Sequence, residues 1–337
     1  MTCGNVRVSI RAWYRLRMAL LALATVGCLM GPVGAIACPS PPPPVRDLAP
    51  PRFYGDAKGS TVDPELARAH REAVAPLKAF LGRVVSDTDK ALRRRSAAAA
   101  ACPLAWIEAW AKAGAWLGNM GSKQAEYQRK WDLAGVALAY LKLRSFALPS
   151  QRAVIEPWLG RIAEKAKAFQ LASERKRNNH LYWLGLSLAA TALATDTPRY
   201  WDDARQIMSE ALGHIGPDGT LPLELERGQR ALHYHAFATT ALVAMAELAA
   251  LKGEDWYGLA GGSLHRLVAR TASGLAAPHT FDALARAPQD HSTTSGAGWL
   301  WLYQARFPGR LSGPLPDVPE KHRWLGGDVK LLPRRVE

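Results

Sequence analysis

Cysteine and negative charge are both scarce in this 337-residue sequence, which holds four Cys and sets 29 Asp and Glu against 43 Lys and Arg. The shortage of acid leaves a formal net charge of +14. That balance favours a polyanionic partner: nucleic acid, an anionic membrane surface or an acidic glycan. β-Branched alternation long enough for a central strand is missing, which points away from a sheet-centred fold. No fixed-period repeat is present, which argues against a regular solenoid. A His-Glu-x-x-His stretch is absent, and His233 and His235 would point to different sides of a helix, so no metal site is expected there. Beyond the first 37 residues no run reads as a membrane span.

What is present begins with an export signal. Arg7, Arg11, Arg15 and Arg17 precede an uncharged, mostly apolar run over residues 18–30, and Ala35-Ile36-Ala37 has the small-x-small form of a cleavage site. This is the layout of a secretory signal peptide over residues 1–37. The apolar run is short for a transmembrane anchor. Removal of four Arg and no acid lowers the net charge to +10 and takes away Cys3 and Cys28. The predicted location is the periplasm, where a nucleic-acid partner is not expected. The two remaining cysteines, Cys38 and Cys102, most simply form one disulfide. Closing so long a loop contributes about 3–4 kcal/mol in the chain-entropy model. Lipidation of Cys38 is the competing reading, disfavoured by Ala35 where a lipoprotein signal carries Leu.

Residues 39–51 are Pro-dense and read as an extended arm. Residues 52–60 form a Gly-bearing loop with two aromatics and two cations. It is either a plain surface connection or a lid over a ligand. The arm and loop together span 38–62. From residue 63 to the C-terminus, apolar residues recur at three- and four-residue steps. Helices are predicted near 63–83, 85–100, 104–118, 123–145, 150–170, 178–195, 198–213, 229–252, 256–271 and 293–305. Thr197-Pro198 reads as an N-cap and first helical position, and Gly253 as a C-terminal stop. The class is therefore all-α, built of antiparallel helical hairpins. Trp106 and Trp110 share a helical stripe that reads as core more readily than as a sugar-stacking surface.

Two constellations could carry chemistry. Asn178-Asn179-His180 is either an N-cap with a structural histidine or an amide and imidazole aimed at one point. In the stretch from Glu224 to His235, a helix would place Arg227 and Tyr234 on one face, with Arg230 beside them. Spacing leaves the choice of arginine open. Asn, His, Arg and Tyr suit β-elimination from a uronate. The C5 proton is weakly acidic until the neighbouring carboxylate is neutralised, after which a base removes it and an acid protonates the departing oxygen. Hydrolysis would require two opposed carboxylates. Glu224, Glu226, Asp202 and Asp203 each read as surface or cap residues instead.

The segments CPLAWIEAWAKAGA, RKWDLAGVALAYLKL, NNHLYW and ELERGQRALHYHAFA, in this order along the chain, resemble those of the alginate lyases of polysaccharide lyase family 5. The resemblance runs from about residue 38 to 331. It implies an incomplete (α/α) toroid with a deep cleft, no cofactor, and β-elimination on polymannuronate as the activity. By this resemblance Asn179 binds and neutralises the carboxylate, and His180 assists or acts as base. Arg227 becomes the carboxylate-site arginine, and Tyr234 the catalytic acid and, on mannuronate, also the base. Arg52, Tyr54, Gln124, Tyr127, Trp183 and Arg323 are implied substrate contacts. Three departures bear on substrate identity: Phe237 stands where relatives often carry Tyr, Gly228 where a second cation is common, and Arg323 is displaced by one residue. The same chemistry on glucuronan or hyaluronan, and a non-catalytic glycan-binding role, are the alternative readings.

Overall fold

The computed structural model describes residues 38–172, 174–290, 297–311 and 316–332. The predicted signal peptide lies outside the described residues.

Four helical hairpins account for most of the chain. They are α1 (Pro64–Arg94) with α2 (Ala97–Lys112), α3 (Lys123–Leu143) with α4 (Pro149–Gln170), α5 (Asn179–Thr195) with α6 (Pro198–Gly213), and α8 (Ala231–Leu251) with α9 (Leu259–Ala276). Short α7 (Pro222–Leu225) and α10 (Asp282–Ala285) lie in the connections, and α11 (Trp299–Arg306) packs on α8. Neighbouring hairpins meet through α1, α3, α5 and α8 on the inside and through α2, α4, α6 and α9 outside. Burial follows this order. α3, α5 and α8 are covered on nearly all sides, whereas α6 buries one stripe: Tyr200, Trp201, Ala204, Ile207, Met208, Ala211 and Leu212. A helix wedged between two others must be apolar nearly all round, and the sequences of α5 and α8 satisfy this mainly with Ala and Leu. The architecture is the expected all-α toroid.

Several boundaries shift: α2 starts and ends earlier than expected, α9 runs on to Ala276 and α11 begins at Trp299, and the largest change is in the first two helices. The predicted helices 63–83 and 85–100 are a single helix, α1, because Leu81, Val84, Val85 and Ala91 continue its buried stripe. The break falls at Arg95, in the left-handed region at φ 47°, and Ser96 caps α2 through a bond from the Ala99 N–H. Thr197 precedes α6 as predicted, but its hydroxyl bonds Thr195 and caps nothing.

The Pro-rich arm is fastened at several points. Cys38 and Cys102 form a disulfide. Trp106 and Trp110 are buried, and their indole N–H groups donate to the carbonyls of Pro39 and Pro42 at 2.6 and 3.0 Å. These tryptophans are core residues that also clasp the arm, so the arm delivers the loop at 52–60 to a fixed place.

The C-terminal segment is fixed from below. A two-residue hairpin, β1 (Lys321–His322) and β2 (Gly327–Asp328), docks on α1 and α3. Buried Lys142 donates to the carbonyls of Gly326 and Asp328, Asp89 accepts the Asp328 N–H, and Arg93 pairs with the Asp328 carboxylate. These bonds hold His322, Arg323 and Trp324 against the inner helices.

Candidate active site

A cleft of about 2320 Å³ opens among the arm, α1, α3, α5, α8 and the C-terminal hairpin. Twelve Lys or Arg and four Asp or Glu line it. Such a surplus of cations between low-dielectric walls concentrates an anionic ligand.

Three sequence segments meet at its floor. Asn178 accepts from the His180 backbone N–H and caps α5. His180 therefore stands on the first turn of α5 and lines the cleft. Its imidazole stacks on Tyr127 of α3, with ring centroids 3.7 Å apart and planes at 14°. Lys130, one turn along α3, is buried and donates to the His180 carbonyl at 2.8 Å and to Gln170 at 2.9 Å. Burial, with the Lys130 and Arg227 cations, holds the His180 imidazole well below its ordinary value. His180 is thus a neutral ring at physiological pH, and its Nδ1 has no hydrogen-bond partner among the described residues.

Arg227 is not on a helix. It lies between α7 and a single 3-10 turn, Gly228–Arg230, that leads into α8. The seven-residue face argument therefore fails as geometry, yet the two residues meet: the Arg227 guanidinium carbon sits 3.6 Å from the centre of the Tyr234 ring. Gly228 follows in the left-handed region at φ 55°, a conformation that disfavours the side chain a second cation would bring there. Arg230 turns instead to Asp290 at 2.8 Å, which separates the roles of the two arginines that spacing could not.

The loop at 52–60 closes over this pair. The Tyr54 and Tyr234 hydroxyls are 2.5 Å apart, and Arg227 donates to the Gly59 carbonyl at 2.9 Å. Asp56 holds the loop's shape by accepting the backbone N–H groups of Ser60 and Thr61. Burial, with the neighbouring Tyr54, pushes the Tyr234 phenol well above its ordinary value, and Arg227 pulls the other way. At rest Tyr234 is a neutral proton donor.

The remaining predicted contacts divide. Gln124, Tyr127 and Arg323 line the cleft, and Gln124 Oε1 and Arg323 Nε have no partner among the described residues. Arg52 lines it too, but its guanidinium folds back onto the carbonyls of Tyr54 and Asp56. Trp183 does not reach the cleft. It is fully buried, stacks on Phe237 and donates its indole N–H to the Phe237 carbonyl at 3.1 Å. Asn179 does not line the cleft either: it is fully buried just behind Asn178 and His180, and its amide nitrogen bonds Glu224. Glu224 is itself a buried partner rather than a surface residue.

Sequence reasoning passed over His233 and His322, which also line the cleft. Burial lowers His233 to about 3, with Arg230 adding to it, and lowers His322 to about 4, with Arg323 adding to it. Four imidazoles held below their ordinary value (His70, His180, His233 and His322), three phenols (Tyr54, Tyr127 and Tyr234), the unpartnered Gln124 Oε1 and several guanidinium Nε atoms unpartnered among the described residues therefore line one space. Nothing local marks His322, which reaches the cleft only because the C-terminal hairpin docks.

The profile of the alginate lyase family matches residues 51–281. The chain belongs to this family. A polysaccharide lyase of Stenotrophomonas maltophilia is 40% identical over 318 residues, covering 93% of this chain and 96% of its own. An alginate lyase of Azotobacter vinelandii is 31% identical over 312 residues, covering 88% and 83%. Among solved structures, alginate lyase A1-III of Sphingomonas species A1 superposes with a TM-score of 0.75 at 24% identity, over 88% of this chain and 86% of that one. That likeness concerns the fold, an (α/α) toroid. A variant of the same enzyme complexed with a tetrasaccharide gives a TM-score of 0.77. Membership makes this chain a polysaccharide lyase.

Proposed function

We propose that this lyase cleaves mannuronate-rich alginate by β-elimination in the periplasm. The observation that carries the reading is the Arg227 guanidinium 3.6 Å over the Tyr234 ring, beside neutral His180 and within a cationic cleft. A cation on the ring face lowers the cost of a phenolate.

The steps follow from that pairing. Arg227 and the Asn179–His180 corner take the uronate carboxylate, which makes the C5 proton more acidic. Tyr234, neutral at rest, first gives its phenolic proton to solvent as Arg227 stabilises the phenolate, and that phenolate removes the C5 proton. The C5–H electron pair becomes the C4–C5 double bond, and the C4–O bond breaks. Tyr234 then returns the proton to the departing glycosidic oxygen. One residue serves both steps on mannuronate because the C5 proton and the leaving oxygen share a ring face. On the epimer the proton lies on the other face, where neutral His180 is the available base. Gln124, Tyr127 and Arg323 contact neighbouring sugars.

Export is supported by the N-terminal cationic and apolar segments and by the Cys38–Cys102 disulfide, a bond suited to an oxidising compartment. The mature protein should begin at Cys38, which N-terminal sequencing of exported protein checks.

Incubation with polymannuronate, polyguluronate, glucuronan and hyaluronan, followed by ultraviolet absorbance of the unsaturated ends, tests the reading. Fastest release from polymannuronate is expected. Faster release from glucuronan or hyaluronan would reassign the substrate, and no release from any of them would sink the elimination chemistry.

A further inference from the structure

Glu224 is a fully buried carboxylate on the short helix α7. Every hydrogen bond it receives among the described residues comes from Asn179. The Asn179 backbone N–H donates to Oε1 at 2.8 Å, and the side-chain nitrogen Nδ2 lies 2.9 Å from Oε1 and 3.0 Å from Oε2. Burial raises the Glu224 carboxyl above its ordinary value against the Asn179 bonds, yet both of its oxygens stand as acceptors facing Asn179 donors, the arrangement of an ionised carboxylate. We propose that Glu224 is a positioning residue that sets the Asn179 side-chain amide in one orientation for the substrate's carboxylate. This rests on the lyase reading of the site.

The argument is one of donor and acceptor capacity. An ionised carboxylate only accepts, so the Asn179 atom facing it must be the NH₂ and not the carbonyl. The orientation of an amide, usually ambiguous, is fixed here by its partner. The two oxygens of one carboxylate subtend a narrow angle at Nδ2, much smaller than the angle between its two hydrogens. A single N–H pointing between the oxygens serves both. The second N–H is directed away from Glu224, and so is Oδ1, which is buried without a hydrogen-bond partner. Asn178 and His180, on either side, line the cleft, while Asn179 is buried directly behind that wall, where a substrate that displaces the wall slightly would meet the amide.

A buried anion whose partner is a neutral amide is costly if stability alone is at stake. A glutamine would fill the same volume at a smaller desolvation cost. It would also present both a donor and an acceptor, and Asn179 could pair with it in either of its two flips. Only an acceptor-only group imposes one. The carboxylate therefore contributes orientation, and it acts through Asn179 without touching the sugar.

Three full-length variants processed like the wild type test this: Glu224→Gln, Asn179→Ala and the double variant. Glu224→Gln should lower kcat on polymannuronate by about tenfold or more while KM moves by less than about threefold. The double variant should be no slower than Asn179→Ala alone, within about twofold, because a residue acting only through Asn179 has nothing left to orient. Losses that multiply in the double variant, or a Glu224→Gln rate within about twofold of wild type, would overturn the proposal. A measurement without turnover covers a variant that fails to fold. In a Tyr234→Phe protein, the Asn179 side-chain amide is followed by NMR and assigned by its loss in Asn179→Ala. One of its two protons should move with a mannuronate oligomer and not with the carboxyl-reduced oligomer. Response of neither proton, or of both to either oligomer, contradicts the proposal. If wild-type protein releases no unsaturated product from any polyuronate, the lyase reading fails by itself; adding Glu224→Gln to the Tyr234→Phe protein still decides the role of Glu224, since loss of the one-proton response supports it and an unchanged response overturns it.

Discussion

Tyr234→Phe removes one oxygen from the centre of the cleft, and the structure separates what that costs in rate from what it costs in stability. Among the described residues the hydroxyl has a single partner, the Tyr54 hydroxyl at 2.5 Å. Losing one such bond costs about 1 kcal/mol. With an unfolding entropy of about 2.1 cal/mol/K per residue, a chain of roughly 300 ordered residues should lose about 2 °C in Tm. The Phe ring still lies under Arg227, so the carboxylate subsite survives and KM should change little. Rate is another matter, because the proton donor has gone. General acid–base groups contribute ~10²–10⁴-fold, or about 3–5 kcal/mol of barrier. Tyr54→Phe is the matched control. It deletes the same hydrogen bond from the other side and should cost the same 2 °C or so, but lower kcat by less than about tenfold. The assays are calorimetry and the ultraviolet rate on polymannuronate. Equal rate losses in the two variants, or more than about a tenth of the activity left in Tyr234→Phe, would refute the assignment of proton transfer to Tyr234.

Other expectations follow from separate parts of the molecule. Replacing Cys38 and Cys102 together by Ala opens a loop of sequence separation 64, worth about 4 kcal/mol in the chain-entropy model, so Tm should fall by roughly 6 °C; calorimetry showing no change would contradict it. His235 accepts the Leu221 N–H at Nε2 and donates from Nδ1 to the Ala231 carbonyl, and burial lowers it to about 4. Its folded value is depressed, so its contribution is present above the unfolded value near 6.5 and is lost as pH falls towards 4, about 2 kcal/mol of it between pH 7 and 5. Urea midpoints at the two pH values should show this slope in wild type and lack it in His235→Asn. Gly135→Ala would place a Cβ 2.6 Å from the Arg323 carbonyl and 2.9 Å from Leu81 Cδ2, costing about 1–3 kcal/mol and raising KM by displacing Arg323 and Trp324; thermal melts and kinetics check both. Raising ionic strength should raise KM more than it lowers kcat, since screening weakens the pull of a cationic cleft on a polyanion.

What the sequence carried and what it could not differ by the range of the signal. Helices announced themselves through periodicity, and α3, α5, α6 and α8 stand within two residues of expectation. The α1–α2 boundary was misplaced because Val84-Val85 looks the same inside a helix as beside a break; only Ser96 and the left-handed Arg95 mark the turn. His180 and Tyr234 were legible as chemistry, and Arg227 became legible through its neighbours in a recognisable segment. Its position just outside α8 was not, because a 3-10 turn keeps the helical spacing nearly intact. Trp183 illustrates the opposite failure. A tryptophan in a site segment suggests sugar stacking, yet the first turns of α5 also form the packed wall against Phe237. Glu224 read as a surface acid because nothing in its local pattern shows that Asn179, 45 residues earlier, meets it. His322 and Lys130 share that invisibility, since each matters through a contact made across the toroid.

The central claim is that bond cleavage is elimination and not hydrolysis, and the products distinguish the two. Polymannuronate digested in water enriched in heavy oxygen and examined by mass spectrometry should give oligomers lighter by one water than their saturated counterparts, with no isotope incorporated at the new ends. Saturated oligomers carrying the label would contradict the account.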